Sequence, residues 1–534
     1  MECCHTFNFE DWQKTVPEAD YEPNDEWSWS CSHPRADSSH PEVEAGSMPE
    51  GEYPENCLFH ISSKKRDKLG VTDENVSEHF YQRIHSGEEG SKEFVDAHLT
   101  KLDLSKRILD PEGNQSVDLR FCTIEKDLYL RETRVENRLK MQGSKINRVR
   151  MEGAYFGETL DWYGCKFSGT IKADDTRFCD KFLLARSRLE CTARFGKRSE
   201  FQGLNLTGAI FKSNFKLPGA TVSGLMYSRG TKFKKAKFKH TVFEQEARFA
   251  GVCFNKKACF SEVRFGDDVS FGKDDPDDDR GPANFDCVAN FSDSDFNGSV
   301  DFNGTKFAEK INFPGADLSD ADLTNATLSN ADLSEADLTD TDLRRANLTD
   351  ANLSETDFSR VTLSRQTTIG DPREQIEDKT DEMGEEQYDQ IARANHELRT
   401  AYSTNGLTGQ ARTARVRERK ARRREALAED GLRGTAAWFG SLLSQFFTGY
   451  GIQLRWILGV MIALFVISTF VYWMVGGMTP GDSLMYSIVT FTTSRPAEPE
   501  LTDVGVRIVA GIETFAGTAA IVFLGYVLGT RERV

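Results

Sequence analysis

The sequence predicts a β-solenoid of stacked coils followed by an α-helical domain with two membrane spans, and three observations carry that expectation. From Ala316 to Arg365, ten five-residue units follow one another without a gap. Upstream, large apolar residues continue with alternating spacings of 5 and 6. Near the C-terminus two long apolar stretches flank a shorter one.

The repeat fixes the solenoid. In each unit the third residue is large and apolar, from Leu318, Leu323 and Leu328 to Phe358 and Leu363, and the residue two before it is small, mostly Ala. Both point inward. The Asp, Asn, Ser and Thr between them face water and can bond their own backbone at a turn. A helix of period 3.6 cannot hold Leu on one face at a spacing of five, and a strand would flip every second Leu outward. Turning a corner at each unit satisfies the pattern. The alternation runs back through Phe313, Phe307, Phe302, Phe296 and Phe291, and through Phe271 to Phe249, Phe195 to Phe156, and as far as Leu119. With about 21 residues per coil stacked at about 4.8 Å, residues 119–365 give about eleven coils and a rod about 50 Å long. Lys273 to Pro282 reads as one surface loop.

These residues resemble the pentapeptide repeat family. The resemblance implies a right-handed quadrilateral β-helix with about four units per coil.

The formal charge of −17 and the Asp-rich units keep the chain soluble and argue against nucleic acid as the partner of the β-helix. A protein partner is the expectation there. The eleven Cys are scattered and no signal peptide opens the chain, which reads as reduced cytoplasmic thiols. No Ser-His-Asp order, phosphate loop or paired-carboxylate setting stands out, so the chain is not read as an enzyme.

Residues 1–65 lack a sustained period and cannot bury much surface unaided. Three Cys/His clusters point to zinc, which takes four such ligands tetrahedrally and supplies folding free energy to a segment with little core. The set chosen is Cys4, Cys31, Cys57 and His60, with Cys3 and His33 as alternates; unligated thiols are the competing reading. In residues 66–118, Asp73 to Ile84 places Val76, Phe80 and Ile84 on one helical face, a helix suited to capping the rod, with His79 and His85 on the surface.

After an acidic linker, 371–385, a basic helical connector occupies 386–450. Its second helix concentrates Arg412, Arg415, Arg417, Arg419, Lys420 and Arg422 to Arg424, placed to meet anionic headgroups. In 454–534, Trp456 to Gly481 holds no charge and Ile508 to Thr530 only Glu513, so two spans are expected in a cell membrane. Positive charge before the first and after the second sets both termini on the cytoplasmic side. Leu484 to Thr493 is apolar yet too short to cross, and reads as re-entrant.

This C-terminal stretch resembles the two-helix pore domain of potassium channels, in which a pore helix ends in Thr-Thr before a Val-Gly-Tyr-Gly-Asp filter. The resemblance implies a homotetrameric ion-channel-like pore, with Thr492 and Thr493 at the end of the pore helix and Gly517 as a hinge. The filter departs from it. Ser494, Arg495, Pro496, Ala497 and Glu498 stand where the family has its glycine-rich filter, and Arg and Ala reach the required positive-φ conformations only at a cost. Potassium selectivity is therefore not expected. The alternatives are a nonselective or anion-favouring pore and a non-conducting vestige on a membrane-tethered binding scaffold. Glu513 is expected to bond to the pore helix and not to face lipid.

Overall fold

The computed structural model describes residues 2–10, 28–44, 47–48, 52, 54–110, 115–273, 281–371, 384–428, 438–442, 454–493 and 504–531. Two compact units divide it: residues 1–357 with 361–370, and residues 358–360 with 371–534.

The first unit is a β-solenoid of about twelve turns, built of two- to seven-residue parallel strands. One column of residues shows the stacking: Asp103, Tyr129 and Arg150 are in register, the column continues coil by coil to Asn290 and Asn312, and it ends at Asp332 and Asn352. The first rung, at His98–Asp103, lies one coil upstream of the Leu119 reached by the sequence trace.

The interior is what the repeat dictates. Leu318, Leu323, Leu328, Leu333, Leu338 and Leu343 are fully buried, with Ala at the small inward positions. Upstream the same columns hold aromatic rings face to face, such as Phe238 on Phe260 and Phe260 on Phe291, each 4.7 Å apart. The corner residue of each tidy unit, Asp320 through Arg360, sits at φ between 56° and 61°. An L-residue pays about 1–2 kcal/mol for that conformation. Part of the cost is offset where an Asp side chain accepts a backbone N–H two residues on, as Asp317 does from Ser319 at 3.0 Å.

At the N-terminal end, α1 (Ser63–Lys68) and α2 (Asp73–Ile84) meet the first coil. Thr72 caps α2 by accepting from Asn75 N–H, and Val76, Phe80 and Ile84 are its buried face. His79 is buried too and stacks on Phe59 at 5.6 Å, so its expected surface position is corrected, while His85 is exposed. Helix spacing alone places His79 beside Val76 and Phe80; the phase was legible and the residue type misled.

In the second unit, α3 (Glu385–Thr404) and α4 (Thr408–Ala428) form a helical hairpin around Tyr388, Ile391, Ala392 and Ala421. Gly406 at φ 68° turns the chain between them. The basic run of α4 is partly tied down within the unit: Arg422 meets Asp389 at 2.6 Å, and Arg417 meets Asp371 at 3.0 Å. Further on, α5 (Leu454–Met474), α6 (Pro480–Thr493) and α7 (Val504–Arg531) pack on one another through Tyr472, Tyr486, Val506 and Ala510.

The two-span reading does not survive. Among the described residues no helix is long and apolar enough to cross a membrane. The second expected span, on α7, carries Glu513 within it and Arg507 at its start. The cell-membrane placement, and the orientation of the termini across it, are withdrawn. The homotetrameric ion-channel-like pore rested on those spans and has no support.

Candidate metal centre

Residues 1–65 are organised by backbone pairing. An antiparallel pair of strands, Thr6–Asn8 with Ser28–Ser30, brings Cys3 beside Cys31, reinforced by Cys3 N–H to His33 O at 2.9 Å and Cys31 N–H to His5 O at 3.0 Å. The Cys57–His60 segment closes a tight turn through His60 N–H to Cys57 O, 3.0 Å, so both side chains face the same point. Phe7 and Phe9 of the first strand pack on Val95 and Phe121 of the solenoid's first coils, seating the group against the rod.

Cys3, Cys31, Cys57 and His60 are all buried, and their ligating atoms lie within 4.8 Å of one another. Cys31 Sγ and Cys57 Sγ are 3.7 Å apart; His60 Nδ1 is 3.0 Å from Cys57 Sγ and 3.9 Å from Cys3 Sγ. Metal–sulfur and metal–nitrogen bonds of about 2.3 and 2.0 Å at tetrahedral angles require edges of about 3.8 Å between sulfurs and about 3.5 Å from sulfur to nitrogen. The group has those dimensions and could hold a metal ion.

The surroundings suit such an ion. His60 Nε2 lies 2.8 Å from Val95 O; donating there leaves Nδ1 as the lone pair turned to the sulfurs. Backbone N–H groups point at the sulfurs, from His5 and Cys57 to Cys3 at 3.4 and 3.1 Å and from His33 to Cys31 at 3.4 Å. Hydrogen bonds from the Cys31 and Cys57 thiols hold the Cys3 thiol far below its ordinary value, while burial pushes the Cys57 thiol up. A divalent cation would favour the thiolate at all three.

Cys4, one of the four ligands expected, is not in the group. It is exposed, and its Sγ accepts from Arg35 Nη2 at 2.7 Å; Cys3, an alternate, takes the place. The backbone decides this, since Cys3 pairs with His33 and its neighbour Cys4 with Glu55, turning consecutive side chains to opposite sides. His33, the other alternate, is spent elsewhere: Nε2 lies 2.8 Å from Glu93 O, Nδ1 accepts from Arg83 Nε, and the ring stacks on Phe94. Burial lowers its pKa to about 3. His5, which belongs to the first Cys/His cluster with Cys3 and Cys4, is not among the four; it stacks on His60 at 4.1 Å and pairs with Asp96 at 3.2 Å. It stands beside the Cys cluster, but nothing in its spacing marks a supporting role.

Of the residues named for a pore, Thr492 is exposed and donates to Ile488 O at 2.7 Å, and Thr493 ends α6. Ser494, Arg495, Pro496, Ala497 and Glu498 lie outside the described residues. Gly517 lies where α7 approaches α6: an added Cβ would stand 2.9 Å from Phe491 O, so close packing requires its small size. Glu513 is buried, and accepts hydrogen bonds from Tyr472 Oη at 2.5 Å and from Ser487 Oγ on α6.

A family model described as pentapeptide repeats matches in eight copies, over residues 308–340 and 328–365. The chain carries a pentapeptide repeat β-solenoid. Among solved structures, it is similar to HetL, a pentapeptide repeat protein involved in heterocyst differentiation regulation from Nostoc sp. strain PCC 7120, at 16% identity and a TM-score of 0.23, over 46% of this chain and 90% of HetL. The pentapeptide repeat protein Rfr23 from Cyanothece 51142 matches at 22% identity and a TM-score of 0.14, over 23% of this chain and 90% of Rfr23. QnrB1, a plasmid-mediated fluoroquinolone resistance protein, matches at 14% identity and a TM-score of 0.11, over 50% of this chain and 91% of QnrB1. None of the curated proteins compared with the chain matches it.

Proposed function

We propose that this chain is a protein-binding scaffold and not an enzyme: the pentapeptide repeat solenoid, coiled right-handed with four flat faces, presents those faces to a protein partner. A zinc ion on Cys3, Cys31, Cys57 and His60 closes its N-terminal end. The observation that carries the reading is the filled interior. Stacked Phe, Leu and Ala side chains occupy the coils from Leu102 to Leu363, so chemistry specific to the rod has only its outer faces to act from. A rigid surface of repeated rungs suits recognition of another protein over a large, flat area.

The test is cross-link mapping on the full-length chain in its native extract, with elemental analysis of the purified protein. Cross-links to a partner that fall on the solenoid faces, together with one zinc per chain, are the expected result. Cross-links confined to the helical unit would remove the scaffold reading, and less than about a tenth of an equivalent of metal would remove the zinc.

A further inference from the structure

The chain is strongly acidic, yet one side of the solenoid is not. Lys145, Lys166 and Arg188 stand in register on three successive coils. In the column beside them Arg150, Lys172, Arg194, Lys216 and Lys237 stand in register on five. At about 4.8 Å per coil this second ladder runs about 19 Å without a carboxylate in it. Like charges directly opposite one another on paired strands are destabilising, so the ladder is held at a cost to the fold. Only part of it is compensated. Arg194 pairs with Asp174 at 2.9 Å and Arg150 lies over the Tyr129 ring, whereas Lys172, Lys216 and Lys237 have no ion-pair partner among the described residues. Lys172 and Lys237 are exposed.

The complement lies on the C-terminal coils. Asp317, Asp337 and Asp357 form one in-register column, and Asp301, Asp322 and Asp342 another. Because both ladders are built on the same coil, their charges recur at the same pitch. Three rungs of acid can therefore meet three rungs of base without adjusting either rod.

We propose that the basic ladder of one chain docks on the acidic ladder of a second copy. The two surfaces differ, so the contact is heterologous: each copy that joins leaves one basic and one acidic face unused, and the association propagates into linear oligomers. This self-association stands independently of the scaffold reading.

Sedimentation velocity of the full-length protein tests it. At low ionic strength the mass should rise with concentration beyond a dimer, and at about 1 M salt, where charges are screened beyond about 3 Å, it should return toward the monomer. The triple variant Lys172→Glu, Lys216→Glu, Lys237→Glu and the triple variant Asp317→Lys, Asp337→Lys, Asp357→Lys should each weaken association more than about a hundredfold. Mixed together, the two intact ladders are complementary and so are the two reversed ones, so the variants should regain association with each other as alternating oligomers. Circular dichroism melts check that the variants fold, and Lys→Gln at the same three positions replaces the first if it does not. Absence of association at low salt, or association that survives salt and both sets of substitutions, overturns the proposal. So does a wild type that stays monomeric while its lysine ladder binds a single-stranded oligonucleotide probe.

Discussion

Replacing Phe260 by Ala probes the solenoid where its packing is densest. The ring is fully buried, lies face to face with Phe238 and Phe291 at 4.7 Å, and meets Phe249, Phe254 and Phe271 edge-on at 5.7 to 5.8 Å. Losing a buried phenyl group costs about 3–5 kcal/mol through transfer and cavity terms. Two stacked neighbours add about 0.5–1.5 kcal/mol each beyond the area term, which puts the total at about 4–8 kcal/mol. On the adjoining coil Val288 is 42% exposed, and Val288→Ala should cost less than about 0.5 kcal/mol. Urea unfolding of the full-length protein, followed by far-UV circular dichroism, measures both, and amide exchange across residues 233–302 shows whether the loss is local. Equal destabilisation by the two substitutions would refute the inward phase and the stacking argument with it.

At the corners, Glu335 has φ 59°, so Glu335→Gly should stabilise slightly, by about 0.5 kcal/mol, and Glu335→Val should destabilise by more than about 1 kcal/mol; thermal melts that rank them the other way would contradict the corner geometry. Cys57→Ser should lower zinc affinity more than about a hundredfold and loosen the N-terminal end, while Cys4→Ser leaves metal content unchanged; equal loss in a chelator titration would mean that the wrong cysteine was chosen. Burial raises the pKa of Glu513 above its ordinary value, so the folded protein favours the protonated form. Its contribution is fully present below the unfolded pKa of about 4.3 and is lost as pH rises through the folded value. Glu513→Gln should remove that pH dependence from melts of the helical unit, and an unchanged profile would place the titration elsewhere.

How much the sequence revealed follows from how strongly each part constrains its own phase. Leu318 to Leu363 repeat at a period that neither helix nor strand satisfies, so their inward direction was readable residue by residue. The first coil was not, because its buried residues Leu99, Leu102, Leu104, Leu109 and Val117 follow one another at spacings of 3, 2, 5 and 8, and the alternation of 5 and 6 is lost there. At the candidate centre the Cys-x-x-His turn gave Cys57 and His60 together. The choice between Cys3 and Cys4 depended on pairing with His33 and Glu55, which lie some 30 and 50 residues away and leave no local trace. At the C-terminus the apolar character of the helices does not by itself distinguish packing against lipid from packing against protein. Glu513 was seen and given a bonding role, yet a buried carboxylate held by Tyr472 and Ser487 is also what a protein-packed helix displays.

The backbone hydrogen bonds between coils, such as Leu338 N–H to Asp357 O at 3.0 Å and Leu318 N–H to Asp337 O at 2.8 Å, run along the long axis of the rod. The solenoid is therefore a set of similar interfaces connected in series. Tension applied along that axis would load every interface equally, and the weakest would open first, coil by coil, as a peel and not as a single rupture. The N-terminal coil is clamped by α2, by Phe7 on Phe121 and by the cysteine and histidine cluster. Mechanical failure should then begin at the Thr368–Ile369 end and travel toward the clamp, so that force extends the protein in steps of one coil.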